Sequence, residues 1–220
     1  MKIGLFGGTF DPIHWGHLRS AEEVREAFRL ERIVFIPTSI QPLKNSAATR
    51  AADRLAMARL ATADNRAFMV SDAEVKRPGK SFTIDTLRAF SRRRPKDSIF
   101  FIIGMDAFRD IGRWKDFKEL FRLAHFIVTS RPGCRERFGA ALLPVAARKS
   151  FCYDRARRLF RHESGTRLYF LKLTDIAISA SEIRARVRTG RSVRYLVPAQ
   201  VERYIKRRGL YRASRRSRAL

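Results

Sequence analysis

The segment Gly7-Gly8-Thr9-Phe10-Asp11-Pro12-Ile13-His14-Trp15-Gly16-His17 gathers residue types suited to handling a phosphate. His14 and His17 are three residues apart, so a helix here places both imidazoles on one face. Gly7 and Gly8 let backbone approach an anion without a Cβ in the way and tolerate unusual φ/ψ. Thr9 and Phe10 can offer backbone N–H groups, and Gly16 leaves a bare patch on which a nucleotide could lie. Unpaired amides and the positive end of a helix facing one point form an anion cradle. Two imidazoles beside such a cradle suit a step in which negative charge grows on a phosphoryl oxygen. A lone Gly-Gly after a strand is ordinarily a turn, and a lone histidine at a helix start is ordinarily a cap. It is the complete string that points to chemistry.

These groups need a strand before them and a helix after them. An apolar, strand-like run at residues 2–6 leads into the glycines, and helical periodicity follows over 18–28. Further β-rich runs lie at 32–37, 68–70, 98–104, 125–130 and 167–173, with helical segments at 52–63, 83–93 and 117–123. Strands alternating with helices predict an α/β fold: a Rossmann-like, doubly wound parallel sheet with helices on both faces. Ser98-Ile99-Phe100-Phe101-Ile102-Ile103 reads as a central strand buried on both sides, ending at Gly104 on the carboxyl edge where such sheets bind ligands. A small helical part closes the chain. Ser179 and Glu182 fit a capping box for a helix reaching about Thr189, stopped by Gly190. Pro198 then suits the first position of a helix over 199–208. Residues 135–165 show no clear pattern. The reading is one domain over 1–211, followed by a disordered, basic tail at 212–220.

Composition narrows the class. The chain has 220 residues, with 47 Lys and Arg against 21 Asp and Glu, a formal charge of +26. Such a field attracts polyanions and speeds the approach of phosphorylated ligands, and it says nothing about fold. Eight basic residues and no acidic one lie between Arg203 and Arg218. A nucleic-acid-binding protein is therefore a competing class, but no RNA- or DNA-reading motif is present, so contact beyond non-specific charge is not expected. No apolar run approaches the roughly 20 residues of a membrane span. The early functional-looking turn argues against a cleaved signal peptide. Cys134 and Cys152 have neither a CxxC spacing nor histidines around them, which points to a reducing cytoplasm and away from a zinc site. Gly79-Lys80-Ser81 mimics the end of a phosphate-binding P-loop, but Glu74 stands where its first glycine should be.

Gly8-Thr9-Phe10-Asp11-Pro12 followed by His14-x-Gly16-His17 resembles the signature of the HxGH nucleotidyltransferase superfamily. That superfamily's second mark, Ser-x-Ser/Thr-x-x-Arg at a late helix start, is matched by Ile178-Ser179-Ala180-Ser181-Glu182-Ile183-Arg184. Within it, Asp72-x-Glu74-x-x-Arg77-x-Gly79-x-Ser81-Phe82-Thr83-x-Asp85-Thr86-Leu87 is similar to bacterial nicotinate-mononucleotide adenylyltransferases. So are Ile103-Gly104-Met105-Asp106, Trp114, Arg131-Pro132-Gly133 and the ending Tyr195-Leu196-Val197-Pro198 with Gly209-Leu210-Tyr211. The chain departs from that family at Phe82, where tyrosine is common, and at Ser181, where threonine is frequent. It also has Leu43 in Gln41-Pro42-Leu43-Lys44, where the family has histidine.

The resemblance implies an in-line attack by a mononucleotide 5′-phosphate on the α-phosphorus of ATP, a reaction that asks for positioning and charge stabilisation. His14 and His17 would be the catalytic pair at the α-phosphoryl oxygens. Gly8, Thr9, Phe10, Gly16, Lys44, Ser179, Ser181 and Arg184 would hold ATP and its phosphates, with Mg²⁺ arriving on the nucleotide rather than in a protein cage. Gly104 and Asp106 would meet a ribose. Phe82, Thr83 and Trp114 would receive nicotinate, with Trp114 stacked on the ring and donors near Thr83 on its carboxylate. Ser179 could serve only as a helix cap, Thr83 only as a helix start, Asp106 only as an N-cap, and Trp114 only as a packing anchor. An adenylyltransferase acting on nicotinamide mononucleotide or phosphopantetheine is the nearest alternative. Ser81-Phe82-Thr83 and Trp114 argue against phosphopantetheine.

Overall fold

The computed structural model describes residues 1–42, 49–130, 139–174 and 176–212. Lys44, Arg131-Pro132-Gly133, Cys134 and the tail from 213 onward lie outside the described residues. Strand β1 (Lys2–Gly8) is followed by helix α1 (Trp15–Phe28), then β2 (Arg32–Pro37), α2 (Ala51–Thr62) and β3 (Phe68–Val70). Helix α3 (Thr83–Arg93) leads to β4 (Ser98–Gly104), the short α4 (Met105–Arg109), α5 (Phe117–Leu123) and β5 (His125–Ser130). The chain then forms β6 (Phe151–Asp154), β7 (Leu159–His162) and β8 (Arg167–Lys172), and ends in α6 (Ala180–Arg188) and α7 (Ala199–Arg208).

The strands form one sheet in the order β3-β2-β1-β4-β5-β8-β7-β6. It is parallel from β3 to β8 and antiparallel at the β7 and β6 edge. Strand β4 shows why both faces must be covered. Ile99, Phe101 and Ile103 pack into one apolar cluster with Leu120 and Phe121, while Phe100 and Ile102 enter another with Leu18 and Val24. Side chains alternate along a strand, so an unbroken apolar run feeds two cores. Strand order reverses between β1 and β4, where Phe6 pairs with Ile102, and a crevice opens beyond the carboxyl ends of such neighbours.

Three local readings change. Strand β1 continues to Gly8, so the glycines end the strand rather than make the turn. Helix α1 begins at Trp15, earlier than its apolar stripe, because the buried positions start only at Leu18. Pro198 caps α7 from outside with ψ 146°, and the helix starts at Ala199. The patternless stretch contains the β6–β7 hairpin. Its turn is rich in arginine, and β6 is an exposed edge strand whose partner supplies most of the buried side chains.

The end of the chain returns to its beginning. The Tyr211 hydroxyl donates to Asp11 Oδ1 at 2.6 Å, and Tyr204 donates to Asp53 Oδ1 at 2.8 Å. Burial and the adjoining Asp11 carboxylate push the Tyr211 phenol well above its usual pKa, keeping it a donor. Tyr211→Phe should lower unfolding free energy by about 1–3 kcal/mol, because Asp11 is left buried with one partner fewer. Urea melts of both proteins would check this, and superimposable curves would contradict it.

Candidate active site

The loop after β1 is built around an aromatic ring. Phe10 takes the left-handed conformation (φ 51°) and turns its ring under Gly8, where an added Cβ would lie 2.8 Å from it. Gly8 is therefore needed for room beside Phe10. Positive φ falls on Phe10 itself, held there by ring contacts with Phe6, Phe35 and His17.

His14 is the N-cap residue of α1 and is buried, with 1% exposure. The His14 and His17 rings stack with centroids 3.7 Å apart, and the His14 backbone N–H donates to His17 Nδ1 at 3.3 Å. With Nδ1 accepting, a neutral His17 carries its proton on Nε2 as a donor. Gly16 makes the stack possible, since a Cβ there would stand 3.1 Å from the His14 ring. Its small size serves the imidazole as well as any nucleotide.

The second motif meets the first. Ser179 is the N-cap of α6 and its Oγ accepts from the Glu182 N–H at 3.1 Å, as the capping pattern predicts. From that helix Arg184 donates to the Asp11 carbonyl at 2.7 Å and to Ser181 Oγ at 3.2 Å. Ile178 lies beside Gly16, completing a cluster of His14, Gly16, His17, Ser179, Ser181 and Arg184 on the α1 side of the loop.

On the other side of the loop a cleft of about 520 Å³ opens at the sheet's carboxyl edge. Gly8, Thr9, Phe82, Thr83, Gly104 and Trp114 all line it. Trp114 is half-buried and stands edge-on to Phe101, with centroids 6.3 Å apart. Phe82 caps α3 and carries Lys115 Nζ 5.0 Å above its ring. Thr83 is the first residue of α3, so the first-turn amides of that helix lie at the cleft. Asp106 does not line the cleft. Its side chain is fully exposed and pairs with Arg109 at 3.2 Å, and Gly104 rather than Asp106 caps α4.

Arg54 went unnoticed in the sequence, and Glu74 stood there only as part of a motif, with no role of its own. Arg54 of α2 is buried and donates to the Thr9 carbonyl at 2.8 Å. Glu74, 5% exposed, is in the cleft wall and accepts from Thr86 Oγ1 at 2.7 Å. Its other carboxyl oxygen has no hydrogen-bond partner among the described residues. Burial raises the Glu74 pKa, an effect only partly offset by the Thr86 hydroxyl. A signal for Arg54 existed: it shares a helical face with Met57, Ala58 and Ala61, all buried. Glu74 lies in a polar segment before α3 and gave no such pattern.

The cytidylyltransferase-like family model matches residues 5–186. A protein from Syntrophotalea carbinolica, named "Probable nicotinate-nucleotide adenylyltransferase", is 49% identical over 99% of this chain and 100% of its own. A Geobacter sulfurreducens protein of the same name is 48% identical over 96% of this chain and 98% of its own. The chain belongs to the nicotinate-nucleotide adenylyltransferase family. The fold is shared more widely. A Plasmodium falciparum nicotinic acid mononucleotide adenylyltransferase solved with NaAD superposes with a TM-score of 0.73 at 18% identity, covering 96% of this chain and 97% of that one.

The half-partnered carboxyl of Glu74 makes a testable statement about pH. With its folded pKa raised above the ordinary 4.5, Glu74 holds more proton in the folded chain than in the unfolded one across that interval. Its contribution to stability is therefore lost as pH rises through the interval. Glu74→Gln removes that slope, so the variant's melting temperature should gain on wild type between about pH 5 and about pH 8. A difference that stays constant over this range would show that Glu74 titrates normally.

Proposed function

We propose that this family member joins ATP and nicotinate mononucleotide into nicotinate adenine dinucleotide, releasing pyrophosphate, and so serves NAD biosynthesis. The mononucleotide's 5′-phosphate oxygen forms the new bond to the α-phosphorus, and the α–β phosphoanhydride bond breaks. The observation that carries this reading is the 2.7 Å bond from Arg184 to the Asp11 carbonyl. It joins the two motifs that the superfamily pattern requires on one phosphate.

ATP is assigned to the α1 side of the loop, with Gly8, Thr9, Phe10, Gly16, Ser179, Ser181 and Arg184 around its phosphates. Lys44 keeps its phosphate-holding assignment from the sequence motif alone. His14 and His17 donate to the α-phosphoryl oxygens as charge develops, with the tautomer of His17 set by the His14 amide. The mononucleotide occupies the cleft. There Trp114 and Phe82 flank the ring, the first-turn amides at Thr83 take the carboxylate, and Gly104 stands on the ribose side, while Asp106, outside the cleft lining, takes no part. An amide in place of the carboxylate would set one NH₂ donor against donors, which is the basis for preferring the acid.

Among the described residues no three His, Cys, Asp or Glu side chains group to hold a metal, and Asp11 is engaged by Thr49 and Tyr211. A Mg²⁺ that accompanies ATP fits as an ion carried on the triphosphate, where it supplies partial neutralisation of the leaving pyrophosphate. No helix among the described residues is long and apolar enough to cross a membrane. The low cysteine content, two in 220 residues, accords with a reducing, cytoplasmic setting. Residues 1–211 are taken as the nucleotidyltransferase domain.

Incubating ATP with nicotinate or nicotinamide mononucleotide, and identifying products by mass, tests the assignment. Failure to release pyrophosphate with either acceptor would overturn it. His17→Ala should retain the fold and lower kcat by about 10²–10³, the scale for losing one transition-state donor. Wild-type turnover in that variant would remove His17 from the chemistry. Trp114→Ala should raise the acceptor KM with little change in the KM for ATP, and unchanged acceptor kinetics would take Trp114 out of the site.

A further inference from the structure

Arg54 has an arrangement that stability alone does not explain. It sits at a core position of α2 with 1% exposure, yet no carboxylate pairs with it among the described residues. Its guanidinium is spread over three main-chain carbonyls. Nη1 donates to Thr9 O at 2.8 Å, Nη2 to Ser39 O at 2.8 Å, and Nε to Thr49 O at 3.4 Å. Burial lowers its pKa and the nearby Asp11 charge opposes that shift, while an arginine remains protonated in either case. An apolar side chain of similar volume would pack such a position without the desolvation cost of a charge.

What the guanidinium does is set direction. In a trans peptide the C=O and the following N–H point opposite ways. The Thr9–Phe10 bond is trans, so drawing the Thr9 carbonyl toward α2 turns the Phe10 N–H away from α2. That N–H has no acceptor among the described residues. The same side chain grips the connection between β2 and α2 near both of its ends, at Ser39 and Thr49. From there Gln41 Oε1 accepts from Thr9 Oγ1 at 2.8 Å, and Thr49 Oγ1 donates to Asp11 at 2.6 Å.

We infer that Arg54 is a positioning residue for the triphosphate: it turns the Phe10 amide away from α2 and fixes a positive charge beneath the loop that receives ATP. The inference rests on the adenylyl-transfer reading given above. Arg54→Lys keeps the charge but cannot fork onto three carbonyls. In this variant kcat/KM for ATP should fall about 10–10²-fold, the scale for misplacing a group by an ångström. The KM for nicotinate mononucleotide, whose cleft Thr9 also lines, should change several-fold less than the ATP parameter. Binding of inorganic tripolyphosphate, measured by calorimetry, should weaken in parallel with the ATP effect. Equal losses for both substrates, or no loss in a folded variant, would overturn the inference. If circular dichroism shows Arg54→Lys unfolded at the assay temperature, Arg54→Gln measured in the cold takes its place. Failure of both to fold even in the cold would make Arg54 a purely structural residue and end the proposal. If wild type forms no dinucleotide, the reaction assignment fails by itself, and the tripolyphosphate comparison still decides the role of Arg54.

Discussion

Six residues separate β1 from α1, and they form neither helix nor strand. Their backbone groups cannot satisfy one another, so their shape has to be imposed from outside. It comes from three distant parts of the chain. Arg54 holds the Thr9 carbonyl, Arg184 holds the Asp11 carbonyl, and the Thr49 and Tyr211 hydroxyls hold the Asp11 side chain. Phe10 adds an apolar clamp by burying its ring among Phe6, Phe35 and His17. A loop tied in this manner has its amide directions fixed before any ligand arrives, which is what electrostatic preorganisation requires.

The loop also divides the sheet edge into two chemical halves. On one side stand the stacked histidines and the polar start of α6, rich in donors. On the other is the cleft between β1 and β4, with Trp114 and Phe82 as apolar walls and the start of α3 as its positive end. Transfer between two nucleotides needs both reactants held on either side of one phosphorus, and a single rigid loop can serve both. The reversal of strand order between β1 and β4 is what makes space for the second reactant.

Much of the large positive charge has no part in this geometry. Several arginines form surface pairs, such as Arg88 with Asp85, Asp116 and Glu119, and Arg161 with Asp154. Exposed pairs of this kind add little to stability and are weakened by salt. The net field instead favours the approach of anionic nucleotides, a kinetic effect independent of the binding groups. Arg54 differs from these arginines in being buried, directional and bonded only to carbonyls.

The sequence by itself determined the α/β class, the six parallel strands and the helices that cover them. Alternating periodicities and a long apolar run leave few other ways to bury the side chains. It also marked His14 and His17, through residue type and spacing, and Ser179 and Arg184, through the resemblance of their motif to that of the superfamily. Only the tertiary structure decided that Arg184 reaches Asp11, 173 positions earlier, that Tyr211 reaches the same residue, and that Asp106 faces solvent. The β6–β7 hairpin stayed hidden because an edge strand buries too little to carry a pattern. Arg54 was lost among 47 basic residues: a side chain bonded to main-chain carbonyls is specified by backbone positions, and those exist only once the chain has folded.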